Sequence, residues 1–350
     1  MHEIYIEFER LSKSVGYFLN RINMKYFFSF FFLVFFGLAL YSPLGAQSLK
    51  TPERKVLSKR EDSLKMYSAR IVQGIDAGQR FRANDTFTRS FVRALTVKNS
   101  FYYPFDSLLT ISKLYAPDSS FRIFTWQLMK DDYMYLQKGA IQMRTADGSL
   151  KLYPLFDASM FTAKPNDTVR SPKNWIGAIY YRIVQKAHNG KQYYTLLGFD
   201  DYSIASNRKW MEVLTFDEQT GEPVFGGNYI SFKEDTAKRA VQKRFGIEYK
   251  KDAATTFNYD KDQQMIIFDH LISETNEPER KETHVPDGDF EGFKWKDGQW
   301  VHVEKVFNFT LKEGQEPVDD IIRDKDGNIN EQKLMDRSKK NEEKAKKKKD

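Results

Sequence analysis

From Phe121 to about Val303 the side-chain pattern of this chain repeats every two residues, and a Gly-, Asn- or Asp-bearing turn interrupts it about every 10–15 residues. No stretch of helical periodicity lies between these runs. Strands that follow one another without crossover helices pair antiparallel, because a parallel pair needs a long connection, usually a helix. The first runs are Phe121–Trp126 and Ala140–Arg144, with Leu150–Leu155 after the Asp147-Gly148 turn. Trp175–Val184 then pairs through His188-Asn189-Gly190 with Gln192–Gly198, and Met211–Phe216 leads through Glu218–Gly221 to Val224-Phe225. Arg244–Lys250, Thr255–Asn258 and Gln264–Asp269 follow, and Phe293–Trp295 turns at Lys296–Gly298 into Gln299–Val303. Asn-Gly and Asp-Gly suit tight hairpin turns because they tolerate positive φ. The absence of a strict internal repeat argues against a propeller or solenoid.

Ahead of this region the period is helical. Leu64, Tyr67, Ile71 and Ile75 form an apolar stripe on a helix expected over Leu49–Gly78, and Lys55, Lys59, Arg60, Glu61 and Asp62 make its solvated face. A second helix is expected over Thr86–Lys98, capped at Asn84-Asp85, with Phe87, Phe91 and Leu95 on its apolar side. A short third is expected within Phe105–Tyr115, stopped by Pro117. Lys164–Lys173, with Pro165 and Pro172, is the best candidate for an internal boundary. Past Leu311 the chain turns polar, and Arg337–Asp350 is a Lys/Glu-rich segment of low complexity. The expected class is therefore α+β: a mostly antiparallel β meander with N-terminal helices and a disordered Lys-rich C-terminal tail. The expected divisions are 1–46 (extension and signal peptide), 47–120 (helical), 121–311 (antiparallel β) and 312–350 (tail).

Composition limits the function. Aromatic residues make up 15% of the chain, which favours half-buried pleated positions. The net charge is +7, but Arg337–Asp350 carries +5 and Met1–Ala46 carries +1. The folded part is thus nearly neutral, and no specific nucleic-acid partner is expected. There is no cysteine, which removes disulfides, thiolate metal sites, thiol nucleophiles and a lipid-bearing cysteine. Tyr26–Tyr41 is a 16-residue apolar run, preceded by Lys25 and followed by Pro43–Gln47. It is shorter than the ~20 residues of a membrane span and has the layout of a secretory signal cut after Ala46. A periplasmic or extracellular location follows, with the membrane met only transiently through the signal peptide. Met24-Lys25 offers a second start, so either Met1 or Met24 can begin the chain.

Few residues are arranged for chemistry. Asp269-His270 ends a rigid apolar run, but strand neighbours point to opposite faces, so adjacency does not make a dyad. Asp200-Asp201 ends another run, and Asp287-Gly288-Asp289 lies ahead of Phe290. Paired carboxylates hydrolyse glycosides when suitably spaced across a cleft, yet Asp is also common in turns. The weak catalytic candidates are thus Asp269, His270, Asp200 and Asp201, with His284 and Asp289 as neighbours to test. His188 is expected in an exposed turn and His302 on a solvent-facing side of its strand. The five tryptophans, Trp126, Trp175, Trp210, Trp295 and Trp300, read as core, although exposed together they would stack on sugars. Asp324–Asn330 imitates part of a calcium loop, but Ile322 and Lys333 stand where oxygen ligands belong. No HExxH, G-x-S-x-G, P-loop or dinucleotide fingerprint occurs, so no metal or cofactor is expected.

Six strings together resemble a family of uncharacterised exported proteins from gram-negative bacteria. They are APDSSFRIFTWQL (Ala116–Leu128), GAIQMRTADGSLKLYPL (Gly139–Leu155), WIGAIYYRIV (Trp175–Val184), YYTLLGFDDYS (Tyr193–Ser203), MIIFDHL (Met265–Leu271) and VPDGDFEGFKWKDGQWV (Val285–Val301). The resemblance spans roughly residues 50–303 and implies export and one continuous unit. It carries no activity, so it transfers no functional residue. The expected function is a non-catalytic envelope or periplasmic protein that binds an envelope partner or a small ligand. The alternative is a hydrolase acting on cell-envelope or glycan material.

Overall fold

The computed structural model describes residues 48–131, 134–237 and 239–307. The expected signal segment, the expected tail, Asp132 and the calcium-loop imitation lie outside the described residues.

Two helices open the described chain, α1 (Thr51–Gln73) and α2 (Ala77–Leu95). The first stops at Gly74, short of the expected Gly78, and leaves Ile75 90% exposed and outside the stripe. The second begins nine residues before the expected Thr86. Asp76 caps it, accepting from Gln79 N at 2.8 Å. Its early turns were hidden because their inward residues are polar. Arg80 Nε donates to Met129 O at 2.9 Å, and Asn84 Oδ1 accepts from Trp126 Nε1 at 2.9 Å. The expected third helix is absent. Phe105 sits at φ 56°, and Ser112–Tyr115 forms strand β1 instead, pairing with Arg122–Thr125. A four-residue strand is too short for a period to register, and its partner lies beyond the Pro117–Ser120 turn.

The remaining strands make three sheets. Sheet one has the order β1-β2-β3-β4, with β2 at Phe121–Asp131, β3 at Met134–Met143 and β4 at Lys151–Phe156. The second runs β10-β7-β6-β5, with β8 also on β7. Its strands are β5 (Ile179–His188), β6 (Lys191–Asp200), β7 (Ser206–Phe216), β8 (Pro223–Phe225) and β10 (Arg244–Lys250). The third runs β11-β12-β13-β14-β9, with β9 at Ile230–Ser231, β11 at Phe257–Asp260 and β12 at Met265–Ser273. Its last two strands are β13 (His284–Lys296) and β14 (Gln299–Val303). The fold is α+β with antiparallel pairing throughout these ladders, except for a two-residue parallel contact between β14 and β9. The 164–173 segment connects the first sheet to the second.

Alternating side chains stack these elements in layers. On β2, Phe124, Trp126 and Leu128 pack against Phe87 and Phe91 of the helices, while Phe121 and Ile123 face the second sheet. On β6 and β7, Tyr194, Leu196, Trp210 and Leu214 face the first sheet. Their neighbours Tyr193, Leu197, Met211 and Val213 face Phe268, Phe293 and Trp300 of the third. The order is helices, sheet one, sheet two, sheet three. Both inner sheets are covered on two faces, which is why β2, β6 and β7 are buried almost without alternation.

Candidate functional site

The third sheet holds most of the histidines. A bulge between Asp269 and Leu271 sets His270 out of register, and the two candidate neighbours part company there. Asp269 is buried and accepts from Thr256 N at 2.5 Å, tying the strand end to loop backbone. His270 Nδ1 lies 2.8 Å from Asp287 Oδ2, and its Nε2 lies 3.8 Å from Glu291. His302 corrects the expectation of a solvent-facing side chain. It is 2% exposed, packed against Phe232 and Phe293, with Nδ1 2.9 Å from Asp235 and Nε2 2.7 Å from Glu291. The apolar neighbours on its strand suggested a histidine turned to solvent, whereas Asp235 arrives from a loop distant in sequence to pair with it. His188 is half-buried rather than exposed, its ring against Gly298. His284 Nε2 meets Pro278 O at 3.1 Å, and burial, then Lys281, lowers its pKa. The Asp289 carboxylate lies 3.5 Å from Lys305, while its backbone N–H donates to Asp287 Oδ1 at 3.0 Å. This sheet therefore brings His270 to Asp287 and Glu291, but not to Asp269, Asp200, Asp201, His284 or Asp289. Among the described residues no group of three or more His, Asp and Glu side chains is placed to hold a metal ion.

Asp200 stands elsewhere, where the first and second sheets diverge. It ends β6 on the face turned toward sheet one, opposite Arg208 and diagonal to Trp210 on β7. Gln137 of β3 donates to Asp200 Oδ1 at 2.9 Å. Burial is the main cause that raises the Asp200 pKa to about 7. Asp157 and Asp201 push the same way, against Gln137 and Arg208. Neither carboxylate beside it is available for chemistry. Asp157 accepts from the backbone N–H of Gln137 (2.9 Å), Ser159 (2.9 Å) and Gly177 (3.3 Å). Asp201 is ion-paired with Lys251. Arg208 is likewise occupied, pairing with Glu248 at 2.7 Å and lying 3.2 Å over the Tyr202 ring.

Asp200, Arg208 and Tyr202 line a cleft of about 560 Å³, a usual size for a small-ligand site. Its walls are Met134, Met160, Ile176, Tyr202, Trp210 and Pro165, and Asp200 and Arg208 supply the charge. Two glycines make the geometry possible. A Cβ on Gly177 would stand 2.2 Å from Gln137 Cβ, and one on Gly246 would stand 2.4 Å from the Trp210 ring. The Trp210 Nε1–H is buried and has no acceptor. Of this set, the sequence pointed to Asp200 as a weak candidate and to Trp210 as core, where it is indeed 5% exposed, with sugar stacking as its other reading. Gln137, Asp157 and Arg208 were missed. Only the β6–β7 hairpin was available as a signal, because it sets Asp200 opposite Arg208.

No family model matches the chain, and neither does any curated protein or solved structure.

Proposed function

We propose that this is an exported, non-catalytic binding protein of the gram-negative envelope that takes a small ligand in the cleft beside Asp200. Export rests on the Tyr26–Tyr41 segment with its flanking Lys25 and Ala46, and on the resemblance of residues 50–303 to an exported family. One observation supports ligand binding above the rest: the buried Asp200 carboxyl and Trp210, whose indole N–H has no acceptor, line one concave cleft with mixed polar and apolar walls. Met160 and Tyr202 at that cleft are 50% and 39% exposed, so a ligand would cover apolar surface on entering. Against catalysis stands the pairing of the charged groups nearest Asp200: Asp157 with three N–H donors, Asp201 with Lys251, Arg208 with Glu248. A general acid without a nucleophile or base beside it does not make a hydrolase site.

Thermal-shift screening with neutral sugars, short peptides and organic acids tests this, with Met160→Arg as the blocking variant. Stabilisation of the wild type, lost in Met160→Arg, is the expected outcome. Turnover of a glycoside or ester that Asp200→Asn abolishes would establish the hydrolase instead.

A further inference from the structure

The cleft's own hydrogen bonds and charges narrow the class of ligand, given the binding reading above. A cationic ligand would seek aromatic faces near a carboxylate. Those faces are taken: Arg208 covers Tyr202, and Lys251 Nζ lies 5.5 Å from the centre of the Tyr135 ring. An anionic ligand would need a free cation. The charge of Arg208 is already paired with Glu248 through Nε and Nη2, and that of Lys251 with Asp201, while Asp157 and Asp200 add negative charge. What remains unsatisfied is uncharged in character. The indole Nε1–H of Trp210, a residue 5% exposed, lacks an acceptor. Asp200 Oδ1 takes Gln137, and among the described residues no side-chain hydrogen bond reaches its Oδ2. The two side chains share a face, diagonal across β6 and β7. Diagonal neighbours are about 7–8 Å apart at Cα, with longer side chains bringing their tips closer. A ligand that fits must offer an acceptor and a donor within that span, and hydroxyls on neighbouring ring carbons do both.

We propose that the cleft binds an uncharged polyhydroxylated ligand, a sugar of one or two rings. One hydroxyl accepts from Trp210 Nε1, its neighbour donates to Asp200, and the ring's C–H face lies on Met160. Such a ligand favours the ionised carboxylate, since its hydroxyl donates to Asp200. With the Asp200 pKa at about 7, only about a tenth of the empty sites are in that form at pH 6. The charged groups that share this field are Asp157, Asp201, Arg208, Glu248 and Lys251, the last four joined in the Arg208–Glu248 and Lys251–Asp201 ion pairs.

The test is calorimetric titration of the mature protein with maltose, cellobiose and N,N′-diacetylchitobiose at pH 6 and pH 8. At least one should saturate, binding about tenfold more tightly at pH 8 than at pH 6. Trp210→Phe should weaken it about tenfold or more, Met160→Arg should block it, and Asp200→Asn should bind without the pH dependence. Near-UV circular dichroism checks that each variant is folded. If organic acids or a neutral dipeptide amide bind and none of the three sugars does, the sugar assignment is wrong while the small-ligand reading stands. Sugar affinity that falls between pH 6 and pH 8 also overturns the assignment. Failure of every probe, or binding unchanged in all three variants, ends both readings.

Discussion

Asp200 shows what burial does to a single residue. Its folded pKa of about 7 lies above the ordinary 3.8 of the unfolded chain. Between those values the folded state keeps a proton that the unfolded chain has lost, so stability falls as pH rises from about 4 to about 7 and then levels. Asp200→Asn removes this titration. At pH 8 the variant should be more stable than wild type by up to about 4 kcal/mol, with the advantage gone below pH 4. Urea melts at pH 3.5 and pH 8 check it, and equal stability at pH 8 would count against a pKa raised by burial. Arg244 is the opposite case. It is fully buried and paired with Glu212, which also accepts from Tyr180. Arg244→Met strands that carboxylate and should cost about 3–5 kcal/mol, and adding Glu212→Gln should recover part of the loss. Arg122 is buried among rings, donating to Gln142 Oε1 (2.8 Å), Tyr103 O (2.6 Å) and Ser100 O (2.8 Å), and burial draws its pKa down to about 10. With Tyr115 Oη at 2.8 Å there are four acceptors, which the five N–H donors of a guanidinium can serve and the three of a lysine ammonium cannot.

At the level of elements, the hairpins separate backbone conformation from space. Asn189 and Gly190 close β5 to β6 at φ 48° and 76°, and nothing lies within 4 Å of a Cβ placed on Gly190. Gly190→Ala therefore meets only the backbone preference and should cost about 1 kcal/mol. Gly246 has ordinary φ but no room, because β10 brings it directly opposite Trp210 and the indole lies on it. Gly246→Ala should cost clearly more, about 2–3 kcal/mol, and should shift the Trp210 fluorescence, since the ring must move. Denaturant curves of the two variants give the comparison, and equal costs would mean that the indole moves aside freely. The hairpins were legible because turn chemistry is local: Asn-Gly, Asp-Gly and the Glu218–Gly221 turn each announce their partner strands. Strand β1 and the first turns of α2 were not, because a short strand and a helix with polar inward residues take their identity from distant partners.

Across the whole molecule, the helices act as the cover of sheet one. Phe124, Trp126 and Leu128 of β2 have Phe87, Phe91, Leu57 and Leu64 as their other side. A chain beginning after Leu95 should leave that face open and lose its cooperative transition. Dye binding and a thermal melt of residues 97–307 beside residues 48–307 would show it; an unchanged melt would make the helices an appendage. The layer order also creates the cleft. Asp200 and Trp210 belong to sheet two, Gln137 to sheet one and Asp157 to the end of β4, and they meet only because the two sheets stack.

The sequence by itself determined the α+β class, the antiparallel hairpins and the N-terminal helices, because side-chain period and turn residues act within a few positions of themselves. It also raised Asp200 as a candidate. Tertiary structure alone decided that Asp200 is buried beside Gln137, that Trp210 lines a cleft, and that His302 is enclosed by Asp235 and Glu291. Each of those facts depends on which faces are stacked on which, and contacts between residues up to 67 positions apart leave no local periodicity to read.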